Sequence, residues 1–237
     1  SAGIGFALAR ALAEAGAPVV LNGRDAGKLD AAAARLREAG HTVHVSRFDT
    51  RDAAAVAAEV ARLEAEVGPV EILVNNAGIT RRSPFQEVRA EDWRAIMDTN
   101  VDGLFHTGQA VARHMIPRGR GKIINICSVM SELGRPGTSA YTTSKGAAKM
   151  LTKSMAIDLG PHGIQVNAIG PGYFITELTQ ALHTDEKFTA WLSAHTPARR
   201  WGTVEELAPA AVFLASDAST FINGHVLYID GGISATL

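Results

Sequence analysis

The stretch Val70-Glu-Ile-Leu-Val-Asn-Asn-Ala-Gly78 decides the fold, because a short apolar strand ends there in two amides and a glycine. Apolar runs and helical patterns alternate on both sides of it, which is typical of right-handed βαβ units on a parallel sheet. We therefore predict an α/β protein, with a doubly wound parallel sheet flanked by helices in a single domain over residues 1–237. The predicted strands are residues 18–21, 43–48, 70–74, 122–128, 164–169 and 225–229, and the predicted helices include residues 4–15, 56–67, 100–115 and 141–159.

Three local patterns add detail to this outline. The helix over residues 100–115 is expected to stop at Pro117. Thr203-Val-Glu-Glu206 predicts a capping box, and Pro209 is expected to kink the helix that this box opens. Residues 173–198 have weak periodicity, so we predict that they form an insert that covers a substrate.

Composition narrows the function classes. The chain has 237 residues, 46% of them hydrophobic, and a formal net charge of −1 with the basic residues spread along it, so neither nucleic acid nor an anionic membrane is expected as a partner. The eight histidines show no ligand spacing, and no metal is expected. One cysteine, Cys127, excludes an internal disulfide, and no signal peptide or membrane-spanning run is found. We expect a soluble protein of the reducing cytoplasm, in which Cys127 serves as a small buried hydrophobe.

Tyr141 and Lys145 are four residues apart in a strongly helical stretch, which places them on one helix face. The ammonium of Lys145 is therefore expected near the Tyr141 hydroxyl. Lowering a tyrosine pKa from about 10 to about 7 requires about 4 kcal/mol in favour of the anion. A close cation can supply much of this, and the helix N-terminus adds roughly 0.3–1 kcal/mol. Tyr141 is thus predicted to act as an acid or base near neutral pH.

Ser128 ends the apolar run Lys122-Ile-Ile-Asn-Ile-Cys-Ser128, so its hydroxyl is expected at the carboxyl edge of the sheet, where ligands bind. Taken singly, a Tyr–Lys pair occurs by chance on many helices, and a serine after a strand is usually a cap. The combination with Asn75-Asn76-Ala77-Gly78 and Gly3-Ile4-Gly5, in this order, makes coincidence a poor explanation.

In these motifs, and in Pro171-Gly172, the chain resembles the short-chain dehydrogenase/reductase family over essentially its whole length. The resemblance implies a Rossmann-type fold and an NAD(P)-dependent oxidoreductase. Within the family, the chain resembles the gluconate 5-dehydrogenases in several short segments. These are Arg81-Arg82, residues 109–122, Ser131-Glu132-Leu133, Pro171-Gly172-Tyr173-Phe174 and Arg200-Trp201-Gly202.

Family members have a strand immediately before the glycine-rich turn, whereas this sequence opens inside that turn at Ser1-Ala2-Gly3. A central strand that is left out would leave unpaired backbone groups in the core, at about 1–3 kcal/mol each. We therefore expect native residues upstream of Ser1. The rival interpretation, a pseudogene-like fragment, is not expected to fold.

The predicted cofactor site starts at the glycine-rich turn, where Ser1, Gly3, Ile4 and Gly5 are expected to hold a pyrophosphate at a helix N-terminus. Gly23 takes the position in which the family carries an acid for the NAD ribose, and Arg24 follows it. Because a guanidinium matches a 2′-phosphate, NADP(H) is preferred and NAD(H) stays possible. Two residues oppose this preference, since Asp25 could be the ribose acid, although we assign it to helix capping, and Ala2 replaces a basic residue of many NADP-using relatives.

By resemblance, further residues complete the sites. Asp49 and Thr50 are expected beside the adenine, and Asn76, Ala77 and Gly78 beside its ribose. Lys145 is expected to bind the nicotinamide ribose. Pro171, Gly172, Phe174 and Thr176 are expected at the nicotinamide, with Tyr141 nearby. The expected catalytic set is Asn100, Ser128, Tyr141 and Lys145, in which Asn100 holds a relay water or simply caps a helix.

The substrate is expected to bind Ser128 and Tyr141, and Arg82 is the candidate for a carboxylate of a sugar acid. Adjacent arginines such as Arg81 and Arg82 are ordinarily a solvated surface pair, so this assignment competes with that one. Glu132 and Arg135, in the loop after Ser128, could meet substrate hydroxyls or pair with each other.

Three functions remain open at this point. The first is a polyol or sugar-acid dehydrogenase acting on a small hydroxy or keto substrate, with D-gluconate and 5-keto-D-gluconate as the expected pair. The second is a 3-oxoacyl-[acyl-carrier-protein] reductase that holds an acidic carrier near Arg113, Arg118 and Arg120. The third is a non-catalytic cofactor-sensing protein, which the intact Ser128, Tyr141 and Lys145 disfavour. The resemblance also implies a homotetramer, paired through residues 100–115 and 141–159.

Overall fold

The structure, a computed structural model, describes residues 2–236. Six parallel strands form its centre. Their hydrophobic content and the helices between them follow the predicted alternation, so the predicted Rossmann-type α/β class is confirmed. The strands are β1 (Val19–Gly23), β2 (Val43–Arg47), β3 (Ile72–Asn75), β4 (Gly121–Ile126), β5 (Ile164–Pro171) and β6 (Val226–Ile229).

Nine α-helices connect or flank these strands in the described part of the chain. The longest, α6, starts two residues before Tyr141 and has Lys145 in its second turn. The helices are α1 (Gly3–Glu14), α2 (Ala26–Glu38), α3 (Ala53–Glu66), α4 (Ala90–Met97), α5 (Gly103–Arg118), α6 (Ser139–Leu159), α7 (Gln180–His183), α8 (Glu186–His195) and α9 (Ala208–Ala215). No helix among residues 2–236 has the length and apolar character needed to cross a bilayer.

The strands pair in two groups. β3, β4, β5 and β6 follow one another in a four-stranded sheet, and β1 pairs with β2. No ladder between β1 and β3 is present within residues 2–236, but Val74 of β3 packs against the apolar clusters of both groups. The strand that we expect upstream of Gly3 would precede the described residues, so it stays a prediction.

Both faces of the four-stranded sheet are covered by helices. On β4, Ile123 packs with α3, α5 and α6, whereas Ile124 packs with α1 and α9. Successive side chains of a strand point to opposite faces, so neighbouring isoleucines serve two separate cores. Every residue of β4 is buried, and its carboxyl end is thereby fixed as the floor of a cleft.

Two predictions about prolines were wrong. α9 begins at Ala208, so Pro209 lies in its first turn, where a missing N–H has no helical partner and no kink is needed. The preceding residues Val204–Leu207 form a separate 3-10 turn, which the predicted capping box of Thr203 and Glu206 opens. α5 passes through Pro117 and ends at Gly119, whose left-handed conformation (φ 68°) terminates the helix.

Residues 173–198, the predicted substrate-covering insert, contain two short helices, α7 and α8. The sequence periodicity of these helices is weak because contacts between aromatic side chains, and not a regular apolar stripe, pack them against the rest of the protein. Phe188 of α8 packs against Tyr173 and Trp201, with ring centroids 5.5 Å and 6.0 Å away. This cluster lies beside the segment that follows β4, since Val129 and Met130 belong to it.

Candidate active site

The carboxyl edge of the sheet brings the predicted catalytic residues together. Ser128 lies two residues after the end of β4, and Asn75, the last residue of β3, lies opposite Asn125 of β4 in the ladder. α6 returns over this edge, so Tyr141 lies in its first turn and Lys145 one turn later. Ser128 is 8% exposed and Lys145 5% exposed, which places both in an environment with little water. The predicted clustering of Ser128, Tyr141 and Lys145 matches this arrangement.

Burial and three neighbouring groups, Ser128, Cys127 and Arg82, influence the pKa of Tyr141. Burial raises the pKa of Tyr141, while hydrogen bonding by the Ser128 hydroxyl and the charge of Arg82 lower the pKa by smaller amounts. Ser128 Oγ also accepts a hydrogen bond from the Met130 N–H, at 3.1 Å, which anchors the serine. Ser128 and Arg82 therefore act on the same phenol from different chain segments.

Lys145 lies near Tyr141, as its spacing predicted, but it does not lower the pKa of Tyr141. Its Nζ lies 5.7 Å from the Tyr141 ring centroid, as expected for residues i and i+4, but it donates a hydrogen bond to the Ile126 carbonyl at 2.7 Å. Ile126 ends β4, and its buried carbonyl requires a donor. Burial lowers the pKa of Lys145, and no lowering of the Tyr141 pKa by Lys145 is found. The predicted fall of the Tyr141 pKa is corrected to a rise.

Asn100 does not cap a helix. It lies in a π-helical turn, Asp98–Asp102, between α4 and α5, and its amide binds the Ile79 backbone twice. Asn100 Oδ1 accepts from the Ile79 N–H at 2.8 Å, and Asn100 Nδ2 donates to the Ile79 carbonyl at 3.0 Å. Its Nδ2 also donates to Ser144 Oγ at 3.0 Å, and Ser144 donates to the Tyr141 carbonyl at 2.7 Å. Asn100 thereby ties the turn after β3 to the helix that carries Tyr141.

Ser144 was not predicted as part of the site, although its position three residues after Tyr141 was a usable signal. Gly78 was predicted as a cofactor residue, and it lies at the same junction. A Cβ at Gly78 would lie 3.4 Å from Asn100 Oδ1 and 3.6 Å from Lys145 Nζ. Gly78 therefore leaves open the space between Asn100 and Lys145.

A buried chain of hydrogen bonds supports this edge of the sheet. Asn75 Nδ2 donates to Asn125 Oδ1 at 3.0 Å, and Thr107 of α5 donates to Asn75 Oδ1 at 2.6 Å. Asn125 Nδ2 donates to Thr152 Oγ1 of α6 at 2.9 Å. The chain links β3 and β4 to both long helices, so the carboxyl ends of these strands are held rigidly.

The predicted cofactor residues from distant segments also meet. Gly3 has φ 54°, and a Cβ there would lie 3.8 Å from Thr176. A Cβ at Gly5 would lie 2.6 Å from Asn76 Nδ2, so a larger residue would collide with the Asn-Asn-Ala-Gly turn. The N-terminus of α1, where free N–H groups favour anions, thus faces both segments. Ser1, the other predicted residue of this turn, lies outside the described residues.

The end of β1 has the charge expected for a phosphate. Arg24 is exposed, with Nη1 3.8 Å from Asp49, and Arg51 binds the same carboxylate at 2.6 Å. Hydrogen bonding by Arg51 lowers the pKa of Asp49. Two guanidinium groups thus lie at one carboxylate, and Arg47 Nε donates to the Arg24 carbonyl at 2.9 Å. Asp25 accepts a hydrogen bond from the Lys28 N–H at 3.0 Å, which is the predicted capping role. These residues fit a 2′-phosphate better than an unmodified ribose.

Three other predicted cofactor residues have structural partners. The Thr50 carbonyl lies 3.1 Å from His106 Nδ1, and a Cβ at Gly103 would lie 2.6 Å from Thr50 Oγ1. Gly172, which follows Pro171 at the end of β5, donates its N–H to the Ile229 carbonyl at 2.9 Å. Phe174 is 4% exposed and its ring packs with Leu8 and Ile169 in the core. The ring of Phe174 is therefore part of the core, and its carbonyl accepts a hydrogen bond from Thr179 Oγ1 at 2.5 Å.

Arg81 and Arg82 differ in their surroundings. Arg81 pairs with Asp92, which Arg89 also binds, so Arg81 behaves as an ordinary surface cation. Arg82 lies close to Tyr141 and Tyr173. Burial of part of its surface lowers the pKa of Arg82, and the nearby charge of Arg135 lowers it further.

The suggested pairing of Glu132 with Arg135 is absent. Glu132 binds Lys149 and accepts a hydrogen bond from the Tyr228 hydroxyl at 2.9 Å. Hydrogen bonding by Lys149 lowers the pKa of Glu132. Glu132 therefore fixes the loop after Ser128 to α6 and β6, and it leaves Arg135 without this acid.

Comparison with known proteins agrees with this geometry. Residues 1–234 match the model of a family described as Enoyl-(Acyl carrier protein) reductase. The gluconate 5-dehydrogenase of Gluconobacter oxydans (strain 621H) is 57% identical over 237 residues, which are 100% of this chain and 93% of that protein. The 5-keto-D-gluconate 5-reductase of Escherichia coli (strain K12) is 48% identical over 231 residues, or 98% of this chain and 91% of that protein.

A solved structure gives the same result in three dimensions. The crystal structure of a gluconate 5-dehydrogenase from Burkholderia cenocepacia J2315, in complex with NADP and tartrate, superposes with a TM-score of 0.97 at 52% identity. The superposition covers 99% of this chain and 92% of that one. The motifs, the fold and these relatives lead to one conclusion: the chain belongs to the short-chain dehydrogenase/reductase family, a family of oxidoreductases.

Proposed function

We propose that the protein is an NADP-dependent oxidoreductase that interconverts D-gluconate and 5-keto-D-gluconate. The observation that carries this proposal is the placement of Arg82 where its charge acts on Tyr141, the proposed acid and base. A sugar acid needs such a cation for its carboxylate. The names of the relatives from Gluconobacter oxydans and Escherichia coli support the same substrate pair.

In the proposed reaction, the cofactor supplies or accepts the hydride when it is bound. Tyr141 gives its proton to the substrate oxygen during ketone reduction and takes it back during alcohol oxidation. Ser128 donates a hydrogen bond to the same oxygen and stabilises developing negative charge. Lys145 and Asn100, on either side of Gly78, are proposed to bind the ribose and to hold a relay water.

For the cofactor we propose NADP(H), with NAD(H) as a weaker alternative. Arg24 is the proposed partner of the 2′-phosphate, while the helix-capping bond of Asp25 leaves no acid aimed at the ribose. Asp49 and Thr50 are proposed at the adenine, and Asn76, Ala77 and Gly78 at its ribose. The N-terminus of α1 and Thr176, together with Pro171 and Gly172, would hold the rest of the dinucleotide.

We also propose that the chain is one domain in which α7 and α8 cover the substrate. The aromatic cluster of Tyr173, Phe188 and Trp201 supports this, because it packs against Met130, two residues after Ser128. The cover is thereby attached to the loop that carries the catalytic serine.

A 3-oxoacyl-[acyl-carrier-protein] reductase is the second candidate, and the basic residues that it requires are engaged elsewhere. Arg118 binds Glu64 and the Val70 carbonyl, and Arg120 binds Glu71. Arg113 donates to Gln109 at 3.1 Å. The non-catalytic sensor is disfavoured by the intact site around Tyr141.

We propose that the active form is a cytoplasmic homotetramer. Phe105 on α5 and Met150 and Ile157 on α6 are large apolar side chains that the single chain leaves exposed. Association through the two long helices would bury them.

The test is to follow NADPH absorbance with 5-keto-D-gluconate and, separately, with an acetoacetyl thioester. We expect turnover of the keto acid and little turnover of the thioester. In Tyr141→Phe, the kcat should fall about 10²- to 10⁴-fold while NADPH binding, measured by fluorescence, is retained. A clear preference for the thioester would move the function to fatty-acid reduction. Full activity of Tyr141→Phe would contradict the mechanism.

A further inference from the structure

Arg135 is a charged residue of the cleft that the proposed mechanism does not use. It lies in the loop between Ser128 and α6, and its guanidinium carbon is 4.6 Å from the centroid of the Phe188 ring. This is cation–π distance, so the guanidinium contacts a ring of α8. Arg135 Nη1 is buried and has no hydrogen-bond partner within residues 2–236. A buried donor of a charged group without an acceptor is costly, which marks a place where a ligand can bind.

Arg82 and Arg135 form a pair of like charges. The charge of Arg135 lowers the pKa of Arg82, in addition to the effect of burial. Burial raises the pKa of Tyr173, and both arginines oppose this rise. The loops that carry them are joined, because the Ser83 N–H donates to the Gly137 carbonyl at 3.2 Å. The loops that carry the two like charges are thus joined by a backbone hydrogen bond, and the guanidinium of Arg135 also contacts an aromatic ring.

Two acids carried by or near these loops are already engaged. Glu132 is bound by Lys149 and Tyr228, and Asp92 is bound by Arg81 and Arg89. None of the salt bridges within residues 2–236 includes Arg82 or Arg135. The pair therefore lacks a protein carboxylate, and the charge of Arg82 acts on Tyr141.

We propose that Arg135 is a specificity-determining residue that binds the substrate carboxylate together with Arg82, so that the enzyme selects sugar acids over neutral sugars. The inference rests on the proposed function and deepens it. Two guanidinium groups can offer parallel N–H donors to both carboxylate oxygens, and an anion between them relieves their repulsion. Because Arg135 is stacked on Phe188, the bound carboxylate would also hold α8 against the cleft.

The experiment compares wild-type protein with Arg135→Gln and Arg135→Lys in the reduction of 5-keto-D-gluconate by NADPH. L-sorbose serves as the neutral substrate, since it has the same carbon chain with a hydroxymethyl group in place of the carboxylate. We expect the KM for the keto acid to rise about 10- to 100-fold in Arg135→Gln with kcat within about 2-fold of wild type. Arg135→Lys should recover part of the loss, because it keeps the charge without the fork.

Selectivity provides the second readout. The ratio of kcat/KM for 5-keto-D-gluconate to that for L-sorbose should fall with the rise in KM, which loosened packing against Phe188 alone would not produce. Arg94→Gln, which removes an exposed arginine of α4, is the matched control. It should leave the KM for 5-keto-D-gluconate and the ratio of the two kcat/KM values unchanged. An unchanged KM in Arg135→Gln, or an equal loss for both substrates, overturns the inference. Failure of the wild-type protein to reduce the keto acid overturns the proposed function instead.

Discussion

The pKa of Tyr141 depends on which cation acts on its hydroxyl. Burial raises the pKa of Tyr141, and the cation that lowers it is Arg82, while Lys145 donates to the Ile126 carbonyl. A positive charge stabilises the phenolate, so removal of Arg82 must raise the pKa of Tyr141 further. At the scale of single residues, Arg82 thus has two proposed tasks, one on the substrate and one on the base.

The pH dependence of alcohol oxidation tests the second task. Oxidation requires deprotonated Tyr141, so kcat/KM for D-gluconate should rise with pH along an alkaline limb. In Arg82→Gln this limb should move to higher pH, while ketone reduction, which needs the protonated form, should keep a flat profile near neutrality. The measurement is kcat/KM against pH, because this parameter reports the free enzyme, with Arg94→Gln as control. A limb that stays in place would show that Arg82 does not act on Tyr141.

Residue identities and spacings were sufficient to predict which side chains meet at the carboxyl edge of the sheet, but not every bond that they make. Ser128, Tyr141 and Lys145 were found from a strand end and a helical interval, both of which are local signals. The partner of Lys145 was not predictable, since the Ile126 carbonyl becomes its neighbour only when α6 packs on β4. Arg135 was left open for the same reason, because its contact with Phe188 crosses two loops.

Among the elements, several helices begin with an aspartate that accepts a backbone N–H. Asp25 caps α2, Asp52 caps α3 and Asp185 caps α8. Such caps satisfy donors that a helix leaves free at its start. For Asp25 the cap also decides a question about the cofactor, because the same carboxylate was the competing partner for a ribose.

Replacement of Asp25 separates these two roles. Asp25→Ala should lower the free energy of unfolding by about 1 kcal/mol, which corresponds to a fall in Tm of about 2–4 °C for a chain of this size. The ratio of kcat/KM for NADPH to that for NADH should stay unchanged. Asp25→Asn, which retains a capping oxygen, should keep most of the stability. A large change in the cofactor ratio in Asp25→Asn would instead assign Asp25 to the ribose.

Element types followed from periodicity, whereas element boundaries depended on contacts between segments. Pro209 was placed inside a helix because the capping box at Thr203 implied one continuous element, but a 3-10 turn separates the two. The π-helical turn at Asp98–Asp102 had no sequence signal. The three hydrogen bonds of the Asn100 side chain there reach Ile79 and Ser144, which are remote in sequence.

For the whole molecule, the two helix-covered faces of the sheet leave apolar side chains on the outside of α5 and α6. Ile157 is 74% exposed in the single chain, an unusual exposure for an isoleucine on a long helix. This is the basis of the proposed assembly.

A charge at this position tests the assembly. Ile157→Glu should shift the protein from a tetramer to smaller species, because a buried carboxylate without a partner opposes association. The measurement is light scattering after size-exclusion chromatography. Ala61→Glu, which adds the same charge at an exposed position of α3, should leave the mass unchanged. A tetramer that survives Ile157→Glu would place the interface elsewhere.

Cys127 gives the molecule an intrinsic reporter. It is the sole thiol of the chain, it is 2% exposed, and it lies one residue before Ser128. Burial raises the pKa of its thiol, so little thiolate is present near neutrality. An aromatic disulfide reagent can therefore react with Cys127 only when the end of β4 opens. The rate of labelling therefore measures how often the active centre opens, and no cysteine has to be introduced by mutation.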